Sequence, residues 1–230
     1  MIVYGSSLSP FVRKVLAFAA EKGIEVESRQ VGLGSEDPEF REASPFGKIP
    51  GFRDPGSGSR AGEDFAISDS TAIITYLDAI RPEPNLIPTD PRARARTIWY
   101  EEFADTILCS CGAKMFFNRV VAPRFLGREG DQAAADQAEA KELPPLLDYL
   151  ERVLPDGGPS TGSGQTFLVE DRLTLADIAV ASPFANFRHL DLALDGERWP
   201  KLLEYAGRML DRPSFKAYVD RETAFLARSA

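Results

Sequence analysis

The feature of this chain that most constrains its fold is a proline-rich segment, RPEPNLIPTDP, at residues 81–91. Four of its eleven residues are proline, which has no amide proton and a fixed φ, so the segment is typical of an extended connector. Short strand-like and helical patterns alternate before it, whereas long helical patterns follow it. We therefore predict two domains, residues 1–81 and residues 92–230, joined by a linker over residues 82–91.

Strand and helix patterns alternate through the first domain. Residues 1–5 are apolar and favour a strand. The next apolar residues recur at the spacing of a helix, namely Val12, Val15, Leu16 and Ala19. A second strand after Gly23 completes a β-α-β unit with an expected right-handed crossover. A short helix, two strands around a glycine-rich turn at residues 54–64 and a third helix follow, so the predicted order is βαβαββα.

Long helical patterns fill the second domain. They cover about residues 92–122, 131–153, 174–189, 198–210 and 213–226. The stretch PDGGPSTGSGQT, residues 155–166, is of low complexity and typical of a loop. The second domain is therefore expected to be all-helical.

Composition argues against several classes of function. The formal net charge of −8 disfavours a surface that tracks nucleic acid phosphates. No run approaches the roughly 18 apolar residues of a membrane span, and MIVYGSSLSP lacks the pattern of a signal peptide, so we expect a cytoplasmic protein without membrane contact. Cys109 and Cys111 do not face each other on a helix, and with the single His189 they fall short of the about four ligands of a structural zinc site. We expect no metal.

Three short motifs of the first domain carry candidate chemistry. Ser9–Pro10 opens the first predicted helix, where proline suits the first turn, serine suits the cap, and helix amides favour negative charge. A cis proline in Lys48–Pro50, at the mouth of a strand, would leave the backbone of Ile49 free to pair with an extended peptide. Ser68–Ser70 opens the third helix and offers an anion site beside a carboxylate, which suits an amino acid head group.

Each motif also has an ordinary explanation. Ser9 suits a plain helix cap, any of residues 68–70 suits the cap of the third helix, and Lys48 suits a solvated charge at a strand end. Other catalytic arrangements are disfavoured, because the chain has one histidine and no G-x-S-x-G, phosphate loop or G-x-G-x-x-G.

Four segments, in the same order, resemble the cytosolic glutathione transferase family over nearly the whole chain. SPFVRKV resembles the serine motif of its tau-like and related bacterial members, and KIP resembles its cis-proline turn. DSTAIITYLD resembles its E-S-x-A-I-x-x-Y-L segment, and LTLADIAVA its helical-domain signature, in which Thr174 and Asp177 form a capping box. The resemblance implies the glutathione transferase fold, an α/β thioredoxin-like N-terminal domain followed by an all-α C-terminal domain. It also implies glutathione as co-substrate and a homodimer.

The resemblance implies a catalytic role for Ser9. Its hydroxyl would donate a hydrogen bond to the sulfur of glutathione and stabilise the thiolate over the thiol. Ser6 and Ser7 stay open as alternative donors, because SSLS also resembles the serine cluster of zeta-like members. No cysteine lies in SSLSP, and a hydroxyl that assists a bound thiolate favours conjugation, displacement or peroxide reduction over thiol exchange.

The resemblance also implies five glutathione-binding residues. The backbone of Ile49, turned by Pro50, would pair with the cysteinyl part of glutathione, and Lys48 would reach the glycyl carboxylate. Asp69 would meet the γ-glutamyl ammonium, while Ser70 and its amide would hold the matching carboxylate. Aspartate replaces the commoner glutamate of the family and is one methylene shorter, so direct contact and a bridging water both stay open.

The expected second substrate is a small hydrophobic electrophile, whose pocket the second domain would help to form. Candidate wall residues, for which core packing is the more ordinary explanation, are Trp99, Phe103, Ile107, Cys111, Phe116, Phe117, Phe184 and Phe187. The predicted function is that of a glutathione S-transferase. The alternatives are another glutathione-dependent enzyme, such as a peroxidase, dehalogenase, ether lyase or isomerase, or a non-catalytic glutathione- or ligand-binding module.

Overall fold

The computed structural model describes residues 1–32, 34–60, 62–155 and 167–228. The chain divides into two compact units, Met1–Leu86 and Ile87–Ala230. From residue 156 onward, the predicted low-complexity loop lies outside the described residues.

The first unit is built on a four-stranded mixed sheet. Its strands are β1 (Ile2–Tyr4), β2 (Glu27–Arg29), β3 (Gly51–Asp54) and β4 (Phe65–Ser68), in the spatial order β2-β1-β3-β4. Its helices are α1 (Pro10–Glu21), α2 (Pro38–Ala43) and α3 (Ser70–Ile80). β1 pairs with β2 in parallel and with β3 antiparallel, and β3 pairs antiparallel with β4. The predicted order βαβαββα and the thioredoxin-like fold are confirmed.

Helical spacing of apolar residues explains how α1 packs. The four residues that predicted this helix, from Val12 to Ala19, are all fully buried. Burial of one such valine or leucine contributes about 1.5 to 3 kcal/mol, so this stripe fixes the helix in the core. A second cluster forms where Tyr4 of β1 packs on Phe40 and Ala43 of α2.

Salt bridges tie down the ends of the β3–β4 connection, the turn predicted at residues 54–64. Arg53, whose side chain is 9% exposed, pairs with Asp64 at 2.7 Å and with Glu42. The Arg53 guanidinium and the Gly56 amide, which donates to Asp64, lower the pKa of the Asp64 carboxyl. Tyr76 of α3 donates to Asp54 at 2.6 Å. The hairpin is thus held by polar contacts at both strand ends.

The second unit is all-helical over its described residues. Residues 91–125 are helical without a break and contain α4 (Pro91–Glu102), α5 (Cys109–Phe116) and α6 (Ala122–Phe125), joined by π-helical segments Phe103–Leu108 and Phe117–Val121. A second long run contains α7 (Gln132–Gln137), the π-helical segment Ala138–Glu142 and α8 (Leu143–Val153). Then follow α9 (Leu175–His189), α10 (Pro200–Leu210) and α11 (Pro213–Arg228). The all-helical prediction is confirmed, and the π-helical segments are additional to it.

The capping box predicted at the start of α9 is present. Thr174 and Asp177 bond reciprocally, side chain to backbone, and both residues are fully buried. The Asp177 carboxylate also accepts from the Leu168 amide at 2.9 Å, the Thr174 hydroxyl at 3.0 Å and the Tyr205 hydroxyl at 3.1 Å. Burial raises the pKa of Asp177 to about 6, although these donors act in the opposite direction. This carboxylate joins α9 to α10 in the core.

The two cysteines lie on α5 as buried thiols that form no disulfide. Burial raises the pKa of Cys111 to about 11, so this side chain stays a neutral thiol at neutral pH. Among the described residues, no group of three or more histidine, cysteine, aspartate or glutamate side chains is placed to hold a metal ion. None of the described helices is long and apolar enough to span a membrane.

Candidate functional site

Strand register brings the three candidate motifs of the first unit to one edge of its sheet. Tyr4, the last residue of β1, pairs with Gly51, the first residue of β3, and Gly51 pairs in turn with Ser68, the last residue of β4. The chain beyond each end of this row holds a motif: residues 5–9 follow β1, Ile49 and Pro50 precede β3, and Asp69 and Ser70 follow β4. The sheet therefore gathers a helix start, a backbone segment and a second helix start along one edge.

Close packing at Gly5 joins the first two motifs. Gly5 has φ +133°, and a Cβ atom built there would lie 2.7 Å from Val12 Cγ2 and 3.0 Å from Ile49 Cβ. Neither the backbone conformation nor the space admits a larger residue. The absence of a side chain at Gly5 thus lets the start of α1 and the segment at Ile49 approach each other closely.

Ser9 occupies the N-cap of α1, but its hydroxyl does not cap the helix. The residue has φ −74° and ψ 125°, Pro10 follows it at the first helical position, and its side chain makes no capping hydrogen bond. Its carbonyl accepts from the Arg13 amide at 3.0 Å in the ordinary way. The side chain is partly exposed and bonds to no described residue. The plain-cap explanation therefore does not describe Ser9, whose hydroxyl is available at the positive end of a helix.

Ser6 shapes the turn that presents Ser9. The Ser6 hydroxyl accepts from the Leu8 amide at 3.3 Å, and the Ser6 carbonyl accepts from the Ser9 amide at 3.0 Å. A hydroxyl that folds back on the backbone in this way forms a serine turn. Ser6 thus acts within the loop, whereas Ser7 is partly exposed like Ser9.

The segment before β3 presents unpaired backbone. The Ile49–Pro50 peptide bond is cis, and neither the amide nor the carbonyl of Ile49 bonds to a described residue. The buried Ser44 at the end of α2 holds this segment, since its hydroxyl donates to the Lys48 carbonyl at 2.6 Å. The Lys48 side chain is exposed and forms no ion pair with a described residue. Such a segment can pair with an extended peptide.

Asp69 caps α3 from a strained conformation. Its Oδ1 atom accepts from the Thr71 amide at 3.0 Å and the Ala72 amide at 3.1 Å. Its φ of 79° with ψ of 128° is a combination that non-glycine residues rarely adopt. Backbone strain of this kind costs about 1 to 3 kcal/mol and is concentrated at functional sites. The Asp69 side chain is exposed and its Oδ2 atom accepts no hydrogen bond from a described residue, whereas the adjacent Ser70 is buried.

Sequence reasoning missed Gly5 and Ser44 as positioning residues of this edge, and it named Ser6 only as an alternative thiolate donor, not as the residue that closes the turn. The sequence does contain a signal for Gly5, because a glycine between a predicted strand and a predicted helix indicates a turn or a close backbone approach. The roles of the two serines depend on which carbonyl or amide each one meets in the folded chain, and spacing alone does not give this.

The second unit exposes few of the apolar residues that the sequence proposed as an electrophile wall. Trp99, Ile107 and Phe117 are 51%, 40% and 36% exposed. The other five proposed wall residues are buried. Trp99 also donates from Nε1 to the Tyr149 hydroxyl at 2.9 Å. Three side chains therefore remain as candidate contacts for an apolar ligand.

Comparison with known families identifies both parts of the chain. The glutathione S-transferase N-terminal domain model matches residues 3–85, and the glutathione S-transferase C-terminal domain model matches residues 117–222. The chain therefore belongs to the glutathione S-transferase family.

Relatives of the chain include enzymes and one translation factor. Glutathione S-transferase 4 of Zea mays is 31% identical over 79% of this chain and 74% of its own length. Elongation factor 1-gamma of Schizosaccharomyces pombe is 29% identical over 76% of this chain, a match that spans only 38% of that longer protein.

A solved relative carries a glutathione derivative. The crystal structure of a glutathione S-transferase from Methylobacterium radiotolerans, in complex with glutathione sulfonate, covers 95% of this chain and 93% of its own. It has a TM-score of 0.72 and 25% sequence identity to the present chain.

Proposed function

We propose that the chain is a serine-type glutathione S-transferase, in which Ser9 stabilises the thiolate of bound glutathione for attack on a small hydrophobic electrophile. The observation that carries this proposal is the Ser9 hydroxyl, which stands unused at the N-terminus of α1 and on the same sheet edge as the unpaired Ile49 backbone. Family membership supports it, because relatives with this fold are named as glutathione S-transferases.

The free energy that Ser9 must supply to lower the pKa of the bound thiol is small. A free thiol titrates near about 8.5, so only a few per cent is ionised at neutral pH, and each unit by which the pKa falls requires about 1.4 kcal/mol. A hydroxyl donor and the positive end of a 12-residue helix are both stabilising toward an anion. The thiolate then forms a carbon–sulfur bond to the electrophile, the leaving group departs with its electron pair, and the thiol proton passes to solvent.

The rest of the sheet edge would bind the peptide. The Ile49 amide and carbonyl would pair with the cysteinyl backbone beside the cis Pro50, and the Lys48 ammonium would meet the glycyl carboxylate. Asp69 Oδ2 would face the γ-glutamyl ammonium, with Ser70 beside the γ-glutamyl carboxylate at the start of α3. Oδ1 is already held by two amides, so the short Asp69 side chain binds the ammonium with one oxygen only.

The test is a titration of bound glutathione through its ultraviolet thiolate absorbance. We expect Ser9→Ala to raise the pKa of the bound thiol by about 1 to 2 units and to lower kcat/KM with a chlorinated nitrobenzene about 10- to 100-fold. Ser7→Ala is the matched control, since it removes a partly exposed hydroxyl from the same turn, and it should leave both quantities unchanged. A normal titration in Ser9→Ala, with a shifted one in Ser7→Ala, would transfer the role to Ser7.

A second candidate is a module that binds glutathione or another ligand without turnover. The match to elongation factor 1-gamma supports this second candidate, because that relative bears the name of a translation factor. Calorimetric affinity for glutathione, measured beside turnover over a panel of electrophiles, peroxides and haloacids, separates the candidates. Binding without turnover across the panel would favour the module, and turnover of one class would fix the reaction type.

We propose further that the protein is a cytoplasmic homodimer. Phe46 lies between Ser44 and Lys48 in the sequence, and its side chain is 88% exposed. A second copy of this chain would cover this apolar surface. Sedimentation analysis of Phe46→Ser tests the assembly: a shift toward monomer supports this contact, and an unchanged dimer places the interface elsewhere.

A further inference from the structure

Two phenylalanines from distant parts of the chain stack at the surface of the second unit. Phe125 ends α6 and Phe225 lies near the end of α11, with ring centroids 5.8 Å apart and planes at 15°. Their exposed fractions are 39% and 45%, and the adjacent Leu126 is 40% exposed. Apolar side chains left at a surface forgo burial worth about 25 cal/mol per Å², so a contiguous set of them marks a place where a partner can bind.

Three arginines lie close in sequence to the residues of this apolar set. The Arg124 guanidinium donates to the Leu226 carbonyl at 3.2 Å and so joins the end of α6 to α11. Arg228 lies three residues after Phe225 and therefore on the same face of the helix. Arg128 lies just beyond Leu126, with its guanidinium 5.4 Å from the centroid of the Phe117 ring. We name this surface the Arg–Phe face, formed by Arg124, Phe125, Leu126, Arg128, Phe225 and Arg228.

Across the described ranges, no carboxylate is paired with any of the three arginines of the face. None of them forms an ion pair with a described residue. Elsewhere in the same unit Arg119 pairs with Asp136 and Glu139, and Arg198 pairs with Asp148. In a chain with a formal net charge of −8, the Arg–Phe face thus combines an apolar centre with three arginines that form no ion pair with a described residue.

We propose that the Arg–Phe face docks an acidic segment of a partner protein that also carries apolar side chains. Arginine and aromatic residues are the types enriched at protein interfaces, and a guanidinium binds a carboxylate through two parallel hydrogen bonds. The apolar side chains of the segment would cover Phe125, Leu126 and Phe225, while its carboxylates meet Arg124, Arg128 and Arg228.

Charge favours a short segment over an extended anionic surface. A lipid bilayer or a nucleic acid would bring many negative charges within a Debye length, about 8 to 10 Å, of the acidic remainder of this protein. A short peptide covers only the face and meets its three arginines. The inference is independent of the thiolate site, and Ser9→Ala should bind the same segment equally well.

The test uses the whole 230-residue chain and three fluorescein-labelled synthetic peptides of equal length. One is composed of glutamate and leucine, the second has glutamine for every glutamate, and the third has serine for every leucine. We expect the first peptide to bind and each of the others to bind at least about tenfold more weakly. A rise in potassium chloride from about 50 to about 300 mM should lower the affinity of the first peptide about tenfold.

Matched variants locate the binding. Arg128→Glu with Arg228→Glu reverses two charges of the face and leaves the Arg124 tie to α11 intact. Arg92→Glu with Arg94→Glu makes the same net change at two exposed positions of α4. We expect the first pair of substitutions to weaken binding of the glutamate–leucine peptide at least tenfold and the second pair to change it less than twofold. Leu126→Ser should have an intermediate effect. Thermal unfolding followed by circular dichroism checks that all variants are folded.

Three results would overturn the proposal. The first is that the glutamate–leucine peptide does not bind the wild-type protein. The second is that both charge-reversed pairs weaken binding equally, which would assign the effect to overall charge. The third is that vesicles of phosphatidylserine and phosphatidylcholine capture the wild-type protein but not the Arg128→Glu, Arg228→Glu variant, while the peptide stays unbound, which would assign the face to a membrane.

Discussion

Two of the described helices, α1 and α9, have a hydroxyl residue at the N-cap, and the two hydroxyls differ in what they do. Thr174 of the second unit is fully buried, and its side chain is engaged with Asp177 in a complete capping box. Ser9 of the first unit is partly exposed, and its hydroxyl makes no capping bond. A satisfied, buried cap contributes to stability, whereas an unused cap at an exposed helix end is available to a ligand. The difference separates a structural motif from a candidate catalytic one.

The largest expected effect is on the buried cap. Asp177→Ala removes the acceptor for the Leu168 and Thr174 amides and for the Tyr205 hydroxyl, and it leaves these donors buried without partners. We expect a loss of about 3 to 5 kcal/mol in the free energy of unfolding, since each unsatisfied buried group costs about 1 to 3 kcal/mol. Urea denaturation measures this. A loss below about 1 kcal/mol would show that the carboxylate contributes little beyond its own desolvation.

The same carboxylate should make stability depend on pH. Its folded pKa of about 6 lies above the value of about 3.9 in an unfolded chain. The protonated form is therefore favoured in the folded state. The corresponding stabilisation is fully present below about pH 4, falls as the pH rises through about 6, and amounts to at most about 3 kcal/mol. Unfolding free energies of the wild type and Asp177→Asn, measured from pH 4 to pH 7, should converge with rising pH. Parallel curves would contradict the shift.

Paired truncations of the two caps sharpen the comparison. Thr174→Ala should cost about 1 to 2 kcal/mol of stability, because a used cap is lost. Ser9→Ala should change stability by less than about 0.5 kcal/mol, because no capping bond is removed, and its effect should appear in the titration of bound glutathione instead. If Ser9→Ala destabilised the protein as much as Thr174→Ala, Ser9 would be a structural helix cap and not a catalytic residue.

A small net change in stability is also expected at a third cap, Asp69 at the start of α3. Asp69 is strained at φ 79°, and glycine adopts such a conformation without strain. Glycine is also only a few tenths of a kcal/mol poorer than aspartate as an N-cap, so Asp69→Gly should leave stability within about 1 kcal/mol of the wild type or raise it. The KM for glutathione should rise several-fold, because the carboxylate for the ammonium is lost. A variant with unchanged KM would exclude Asp69 from the site.

The element order was predictable from the sequence because each element has a local cause. Apolar spacing from Val12 to Ala19 defines α1, and prolines between residues 81 and 91 separate two kinds of pattern. The capping box at Thr174 and Asp177 was predictable for the same reason, since both partners lie within one helical turn.

Other features depend on local backbone geometry that residue types do not encode, and they could not be predicted this way. The π-helical segment Phe103–Leu108 interrupts a helix whose apolar pattern gives no warning of it. Which of residues 68–70 caps α3, and with what backbone strain, is set by the end of β4 rather than by residue type. The Ser9 hydroxyl lies in the turn that Ser6 closes, and the residue types of SSLSP, three serines, a leucine and a proline, do not encode which hydroxyl bonds to the backbone.

The close approach at Gly5 has a consequence for variation in this protein. The distance between α1 and the segment before β3 depends on Gly5, which has only a hydrogen atom where every other residue has a Cβ carbon. Substitutions at this position cannot widen the gap gradually, because even alanine would push Val12 and Ile49 apart at once. A ligand of different size at the proposed site would have to be accommodated by other side chains, because the separation of α1 and the Ile49 backbone stays constant.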